Sequence, residues 1–301
     1  MEPTRIRALE AHGQQINNTP LQSSENDQNE DIAMKTVLIT GATDGIGRET
    51  ARQLLEKGWH VLLHGRTREK AERVAQELSG AHSHGQGEPV WGELSRMGEV
   101  VQLAERVKGA TKSLDVLINN AGGFEAKRRV TTDGIEQTMA VNHFATFLLT
   151  HHLLGLLGQA SAGRVVTVSS IAHQNASLDV SDLALKRGQH GYDAYCTSKL
   201  ANVLFTRALA KRLTGTTITA NCLHPGVVTT KLLWAGFRMK GSPVERGART
   251  SVYLATSDDV VNTSGKYFVD CREAVPSAAA QDDKLAEALW QASELLLAKY
   301  L

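Results

Sequence analysis

A short apolar run, a glycine-rich turn and an amphipathic segment follow one another in residues 36 to 57. In the turn, Gly41, Gly45 and Gly47 fall within seven residues, where the chain must reverse tightly and the backbone can approach a pyrophosphate. The amides that open the following helix, together with the helix dipole, favour negative charge at this point. The pattern therefore predicts a nucleotide-binding strand–turn–helix unit at the start of an α/β domain.

Apolar runs rich in β-branched residues alternate with longer amphipathic stretches from Lys35 onward. Such alternation predicts a parallel sheet with helices on both faces, and nearly continuous apolar runs suit strands that are covered on both sides. We therefore predict a single-domain α/β fold over residues 35–301, a Rossmann-type doubly wound parallel sheet of six to seven strands. The predicted strands are 36–40, 60–64, 89–91, 114–119, 164–169, 217–223 and 267–269, and the predicted helices include 46–57, 68–78, 98–107, 134–157 and 192–213.

The first 34 residues are polar, contain no aromatic residue and are rich in Gln, Asn, Glu and Ser. Such a segment cannot bury enough apolar surface to offset the entropy of ordering, so we expect a disordered leader over residues 1–34. It holds no apolar stretch fit for a signal peptide, and no segment of the chain reaches the roughly 20 apolar residues of a membrane span. We expect a cytoplasmic protein without a membrane span.

Charge and cysteine content exclude several classes of partner. The chain has 33 Lys and Arg against 32 Asp and Glu, without the basic excess that nucleic-acid binders normally show. Its three cysteines are too few and too scattered for a disulfide framework or a zinc cluster, and its 11 histidines show no third ligand at a metal-binding spacing. We expect no nucleic-acid partner and no metal site.

The glycines of the turn have the spacing Thr40-Gly41-x-x-x-Gly45-x-Gly47, which resembles the motif of the short-chain dehydrogenase/reductase family at every fixed position. Other motifs follow in the order that the family keeps. They are NNAGG at 119–123, Asn142 within VNHFATFLLT, the pair Ser169-Ser170 after RVVTV, Tyr195 and Lys199 within YCTSK, and HPGVVTT at 224–230. The closer resemblance, on VSSIAH, HPGVVTTKL and GKYFVDC, is to the retinol-dehydrogenase-like branch, and it covers residues 35–297.

The end of the second predicted strand, His64-Gly65-Arg66, bears on the choice of cofactor. An acidic residue there would accept the ribose hydroxyls of NAD, whereas the guanidinium of Arg66 can pair with the 2′-phosphate of NADP. Arg48 is a second candidate for that phosphate, and Asp44, within the turn, weighs against it. We predict NADP as the cofactor, with NAD as the alternative.

The resemblance implies a full set of cofactor contacts. Glu93 departs from the family, because relatives usually carry Asp after the third strand, and Thr230 would steady the nicotinamide carboxamide. The predicted contacts are Gly41, Ala42, Thr43, Asp44, Gly45, Ile46, Gly47, Arg66, Glu93, Leu94, Asn120, Ala121, Gly122, Tyr195, Lys199, Val228 and Thr230.

Tyr195 and Lys199 are four residues apart, so a helix would place them on one face. A lysine charge ~5 Å from the phenol, at an effective dielectric constant of ~20, favours the phenolate by ~3 kcal/mol, which would lower the tyrosine pKa by ~2 units. The resemblance implies that Tyr195 is the catalytic acid or base and that Lys199 holds the nicotinamide ribose. It also implies that Ser170, or alternatively Ser169, holds the substrate oxygen, and that Asn142 completes a proton relay.

These expectations combine into an NADP(H)-dependent oxidoreductase that interconverts a lipophilic alcohol and a carbonyl compound. The resemblance implies a substrate lid at about 230–245, where Leu232, Leu233, Trp234 and Phe237 either line a pocket or pack within a helix. The resemblance also implies a homodimer as a possible assembly. The alternatives are a non-catalytic NADP-binding regulator or scaffold of the same fold, and an epimerase or dehydratase of the extended branch, which the glycine spacing and the short C-terminal region disfavour.

Overall fold

Most of the apolar runs of the sequence form strands that are buried on both faces. A computed structural model describes residues 34–81 and 84–301, and Met34 to Leu301 form one compact unit. The predicted leader lies outside the described residues, except for Met34. The strands are β1 (Thr36–Ile39), β2 (His60–Gly65), β3 (Gln86–Trp91), β4 (Val116–Asn119), β5 (Arg164–Val168), β6 (Thr219–His224), β7 (Tyr267–Val269) and β8 (Arg272–Ala274).

These strands form one sheet in the order β3-β2-β1-β4-β5-β6-β7-β8. All neighbouring pairs are parallel except β7 and β8, which are antiparallel. The α/β class and the parallel sheet are thus as the sequence predicted, but the described part of the chain has eight strands instead of six to seven. The additional strand, β8, follows a tight turn in which Asp270 and Cys271 both have positive φ.

The helices cover both faces of the sheet. They are α1 (Gly45–Glu56), α2 (Arg68–Ala81), α3 (Met97–Ala110), α4 (Gln137–Met139), α5 (Ala145–Leu157), α6 (Gly191–Arg212), α7 (Lys231–Phe237), α8 (Val244–Thr256) and α9 (Asp283–Leu297), with short 3₁₀ turns at Ile171–Asn175, Val180–Asp182, Asp258–Val260 and Ala279–Gln281. Within residues 34–81 and 84–301, no helix is both long and apolar enough to cross a membrane.

Two apolar layers sandwich the sheet, as a doubly wound fold requires. Leu38, Leu62 and Leu117 point to the layer that contains α3, α5, α6 and α9. Their neighbours along the strands, such as Val37 and Val61, point to the layer that contains α1, α2 and α8. This alternation explains why the strands read as continuous apolar runs.

The segment that was predicted as one helix over 134–157 has a different form. It begins with the single turn α4, continues as a π-helix over Ala140–Phe144 and becomes α5 only at Ala145. Thr146 donates its hydroxyl proton to the carbonyl oxygen of Asn142 at 3.0 Å, which satisfies one carbonyl of the widened turn. Hydrophobic periodicity does not reveal such an insertion, and π-helical turns often occur beside functional sites.

Candidate active site

A cleft of about 710 Å³ opens at the carboxyl ends of the strands. The strand order reverses between β1 and β4, so the connections that leave these two strands run to opposite sides of the sheet. A parallel sheet opens a crevice at such a switch point, and ligands of doubly wound folds bind there. The loops after β1, β2, β3, β4, β5 and β6 all contribute to the lining.

The glycine turn forms one end of this cleft. Gly41 and Gly45 have φ values of +66° and +52°, which residues with a side chain rarely adopt. A Cβ atom on Gly47 would lie 2.3 Å from the carbonyl oxygen of Gly41 and 2.3 Å from Nδ2 of Asn120. The turn is therefore closed against the loop after β4. The Gly45 amide donates to Oδ1 of Asp44 at 2.9 Å, so the amides that follow it at the start of α1 form the cradle that fits a pyrophosphate.

Two side chains anchor the turn from the β4 side. The Thr40 hydroxyl accepts the amide protons of Asn120 and Ala121 at 3.0 and 2.9 Å. Asn120 in turn donates from Nδ2 to the carbonyl oxygen of Thr40 at 2.8 Å. Thr40 and Asn120 both belong to the family motifs, and these hydrogen bonds explain why the turn needs them.

His64 anchors the same turn from the β2 side, which sequence reasoning missed. Its Nδ1 faces the amide of Gly41 at 3.0 Å, and its Nε2 faces the carbonyl oxygen of Gly92 at 3.0 Å. The ring is buried, and burial lowers the pKa of His64 to about 4. His64 is thus neutral near pH 7, with Nδ1 as acceptor and Nε2–H as donor.

The cationic group at the end of β2 lies where the sequence predicted it. Arg66 is 75% exposed at its side chain, and its Nε lies 3.3 Å from Oε2 of Glu93. Both residues line the cleft, as does Lys70, which the sequence analysis did not name. Arg48, the second candidate for the phosphate, pairs instead with Glu77 at 3.0 Å and is not part of this lining.

Asp44, whose negative charge would disfavour a bound 2′-phosphate, forms an ion pair with Lys231. Its Oδ2 lies 2.5 Å from Nζ of Lys231, at the start of α7. The ion pair offsets the negative charge within the turn, and Lys231 itself lines the cleft. A residue 187 positions away cannot be matched to Asp44 from one sequence.

Tyr195 and Ser170 meet at the other end of the cleft. The hydroxyl groups of Tyr195 and Ser170 form a hydrogen bond, and Ser170 also accepts the amide proton of Ala172 at 3.2 Å. Ser169 is turned away from this pair, because its buried hydroxyl donates to the carbonyl oxygen of Lys199 at 2.7 Å. Of the two serines that the sequence left open, Ser170 is the one that contacts the phenol.

Lys199 lies beside the phenol ring but is held by the backbone. Its Nζ is 5.6 Å from the centroid of the Tyr195 ring and donates to the carbonyl oxygen of Val168 at 3.0 Å. Burial lowers the pKa of Lys199 to about 8. Burial also raises the pKa of Tyr195 to about 12, although its hydrogen bond with Ser170 acts in the opposite direction.

The predicted lowering of the Tyr195 pKa is therefore wrong in direction. That prediction counted the charge of Lys199 and left out the cost of moving a phenolate out of water. Tyr195 is almost fully buried, with 7% of its surface exposed, and this desolvation is the largest influence on its pKa. At neutral pH the phenol of Tyr195 is therefore protonated.

Asn142 lies in the π-helical segment and is fully buried. Its Oδ1 accepts the amide proton of Gly123 at 2.7 Å, and its Nδ2 donates to the Gly123 carbonyl oxygen at 3.1 Å and to the Ser198 hydroxyl at 2.9 Å. A Cβ on Gly122 would lie 3.5 Å from Nζ of Lys199 and 3.6 Å from Oδ1 of Asn142. Asn142 thus fixes the loop after β4 against α6, close to Lys199.

Nearly all of the predicted cofactor contacts line this one cleft. The exception is Ala42, which is fully buried and donates its amide proton to the carbonyl oxygen of His64 at 2.9 Å. The others that line it are Gly41, Thr43, Asp44, Gly45, Ile46, Gly47, Arg66, Glu93, Leu94, Asn120, Ala121, Gly122, Tyr195, Lys199, Val228 and Thr230.

Around Tyr195, the cleft has apolar walls. Leu232 and Leu233 of α7 line it, whereas Trp234 is 61% exposed and does not. The Phe124 ring meets the Tyr195 ring edge-on at 6.0 Å, and a Cβ on Gly236 would lie 3.2 Å from that Phe124 ring. Other apolar residues of the lining are Ile171, Ala172, Val227 and Met239. The side chain of Phe237 lies outside the described part of the structure.

Residues 35–240 match the model of a protein family described as short chain dehydrogenase. The chain is 41% identical over 290 residues to retinol dehydrogenase 14 of Mus musculus, with 87% of this chain and 86% of that protein covered. It is 42% identical over 275 residues to retinol dehydrogenase 12 of Bos taurus, with the same shares covered. Among solved structures, it is similar to a short chain dehydrogenase from Escherichia coli CFT073 complexed with NADPH, with a TM-score of 0.64, 27% identity, and 79% of this chain and 97% of that chain covered.

Proposed function

This chain belongs to the short-chain dehydrogenase family, in its retinol-dehydrogenase-like branch, and from that membership we propose that it reduces lipophilic carbonyl compounds, or oxidises the matching alcohols, with NADP(H). Membership makes the chain an oxidoreductase that acts on CH–OH groups. The cofactor preference, the class of substrate and the roles of individual residues are the parts that we propose.

One observation carries the proposal. The hydrogen-bonded hydroxyls of Tyr195 and Ser170 lie in the same cleft as a glycine turn whose geometry suits a pyrophosphate. A proton donor at one end and a phosphate cradle at the other are what a nicotinamide-dependent reduction requires of a protein. The family includes a solved relative complexed with NADPH, which supports the same cofactor for this chain.

In this proposal the turn around Gly45 and the first amides of α1 hold the phosphates, and Lys199 and Thr230 hold the nicotinamide end. When bound, NADPH supplies the hydride that reduces the carbonyl carbon. The hydroxyls of Ser170 and Tyr195 orient the carbonyl oxygen, and Tyr195 donates its proton to that oxygen as the alcohol forms. In the reverse direction Tyr195 accepts the alcohol proton. The high pKa of Tyr195 keeps it protonated at neutral pH, which suits reduction.

Lys199 stabilises the phenolate that remains after proton transfer. Its ammonium group lies 5.6 Å from the ring centroid, in a buried environment where charges interact more strongly than in water. Asn142 acts in this proposal by fixing Gly123 and Ser198, so that the loop after β4 and helix α6 keep their spacing. Its part in a proton relay remains a prediction.

The apolar walls around Tyr195 support a lipophilic substrate. Leu232, Leu233 and Met239 of the predicted lid line the cleft, as do Ile171 and Val227. Such a surface gains free energy by removing apolar carbon from water, at about 25 cal/mol for each Å². The relatives named retinol dehydrogenase, at 41 and 42% identity, point to the same class of compound.

The direct test follows NADPH absorbance while aldehydes and ketones of increasing chain length are offered. We expect kcat/KM to rise with chain length until the apolar wall is covered, by up to about fourfold for each added methylene. Short polar carbonyl compounds serve as controls, because they reach Tyr195 without touching the wall. Equal rates for all chain lengths would contradict a lipophilic substrate, and NADPH binding without turnover on any of them would favour a regulator or scaffold.

The preference for NADP rests on the cluster around Arg66. The guanidinium is exposed towards the cleft, Lys70 adds a second cation, and Glu93 holds Arg66 in place but also offsets part of its charge. A 2′-phosphate would compete with Glu93 for the same guanidinium. We therefore expect a clear but moderate preference for NADPH over NADH.

Replacing Arg66 with Asp should reverse this preference. The new carboxylate repels the 2′-phosphate and can accept the ribose hydroxyls of NADH, so the ratio of kcat/KM for NADPH to that for NADH should fall by about a hundredfold. Arg73→Asp, on the exposed side of α2 and outside the cleft lining, is the matched control for the change of charge. An unchanged ratio in Arg66→Asp would show that Arg66 does not bind the 2′-phosphate.

Three further expectations remain predictions. They are the homodimer, the cytoplasmic location and the motion of residues 230–245 as a substrate lid. The described lid segment consists of α7 and the turn that leads into α8. Gel filtration and cell fractionation of the full chain test the first two of them.

A further inference from the structure

His64 is a buried ring whose two nitrogens both contact loops of the cofactor cleft. Nδ1 receives the amide proton of Gly41, and Nε2 donates to the carbonyl oxygen of Gly92, both at 3.0 Å. The two partners belong to different loops, one after β1 and one after β3. The His64 ring therefore joins the two loops directly.

The two loops serve different parts of the bound nucleotide under the proposed function. Gly41 opens the turn that forms the phosphate cradle, while Gly92 immediately precedes Glu93 and Leu94, the candidate contacts of the adenine end. We propose that His64 is a positioning residue that sets the distance between the phosphate cradle and the adenine end, and thereby the affinity for NADP(H). This inference rests on the proposed cofactor.

Local geometry supports a role in positioning rather than in simple core packing. The turn is held from the β4 side by Thr40 and Asn120, so an opposing hold from the β2 side is what fixes its place. The amide of the next residue, Ala42, also bonds to the backbone of His64 at 2.9 Å. An aliphatic side chain would fill the same space but remove the partners of the half-buried Gly41 amide and the buried Gly92 carbonyl oxygen, which is costly.

The two contacts can be separated by substitution. In His64→Asn the side-chain oxygen lies near the position of Nδ1 and can accept the Gly41 amide proton, but nothing reaches Gly92. In His64→Gln the longer side chain can donate to Gly92 from its amide nitrogen, while the Gly41 amide loses its acceptor. His64→Leu removes both contacts.

The matched control is His60→Leu. His60 lies on the same strand and the same face, but its ring pairs with Glu88 at 3.0 Å, outside the cleft lining. NADPH affinity is measured by fluorescence titration of each purified full-length variant, and kcat is measured at saturating NADPH. Hydrogen exchange of the Gly41 amide reports directly on whether its acceptor is present.

We expect His64→Leu to raise the Kd for NADPH by roughly tenfold to a hundredfold, with Asn and Gln between it and the wild type. At saturating NADPH, kcat should stay within about threefold, since no group that touches the reacting atoms has changed. The Gly41 amide should exchange slowly in the wild type and in His64→Asn, and faster in Gln and Leu. His60→Leu should bind NADPH as the wild type does.

Folded Asn and Gln variants with wild-type Kd values would overturn the inference, as would a loss of kcat without a change in Kd. The unfolding temperature of each variant separates a general loss of stability from a loss of NADPH affinity in the folded protein. If the wild-type chain itself fails to bind NADPH, the proposed cofactor falls and this inference with it. If the wild type binds NADPH tightly and the His64 variants bind it equally well, only the role of His64 is contradicted.

Discussion

Tyr195→Phe should lower kcat by about a thousandfold or more, while the Kd for NADPH stays within about twofold of the wild-type value. The substitution removes one oxygen atom and keeps the ring, so the edge-on contact with Phe124 and the packing of α6 remain. What is lost is the proton that the proposed reduction delivers to the carbonyl oxygen, together with the hydrogen bond to Ser170.

Tyr253→Phe is the matched control for this experiment. Tyr253 lies on α8, packs against Phe268 and is not part of the cleft lining, so its hydroxyl has no place in the reaction. Single-turnover kinetics with preloaded NADPH measure the chemical step directly. Turnover near the wild-type rate in Tyr195→Phe would mean that another group supplies the proton, and the mechanism would have to be rebuilt.

Gly47→Ala should weaken NADPH binding severely and raise the Kd by about a hundredfold or more. The added methyl carbon would lie 2.3 Å from the Gly41 carbonyl oxygen, and a backbone atom of a closed turn cannot move aside cheaply. Opening the turn enough to relieve the clash displaces the first amides of α1 from the phosphate cradle. The temperature of unfolding should also fall, because the turn packs against Asn120.

Gly155→Ala separates this clash from the general effect of adding a methyl group to a helix. Gly155 lies in α5 with open space where its Cβ would be, and alanine favours helix more than glycine does. We expect that variant to bind NADPH normally and to be slightly more stable. Normal binding in Gly47→Ala would show that the turn is not the phosphate site.

Much of this site could be predicted because a parallel sheet gathers the ends of its strands. Motifs that are far apart in the chain, such as the glycine turn and Tyr195, had to meet at one edge once the strands were recognised. The strand β8 was missed because three residues, two of them charged, show no apolar alternation. The start of β3 was placed three residues late for a similar reason, since Gln86-Gly87-Glu88 is largely polar.

The parts that escaped prediction depend on contacts between distant residues. Nothing in the sequence shows that His64 turns towards Gly41, or that Lys231 pairs with Asp44. Burial is equally hidden, which is why the pKa of Tyr195 was expected to fall and instead rises. The choice between Ser169 and Ser170 likewise depends on which hydroxyl the backbone of α6 engages.

The two outermost strands limit how copies of this chain can associate. An open sheet can grow by adding a strand from a neighbour, which is a common route to fibrous aggregates. At one border, Pro89 lacks an amide proton, so a partner strand could not complete its ladder there. At the other border, β8 offers only three residues and presents Arg272 and Glu273. Lateral growth is therefore disfavoured at both borders of the described sheet, which favours helices or loops as the surfaces through which copies would pair.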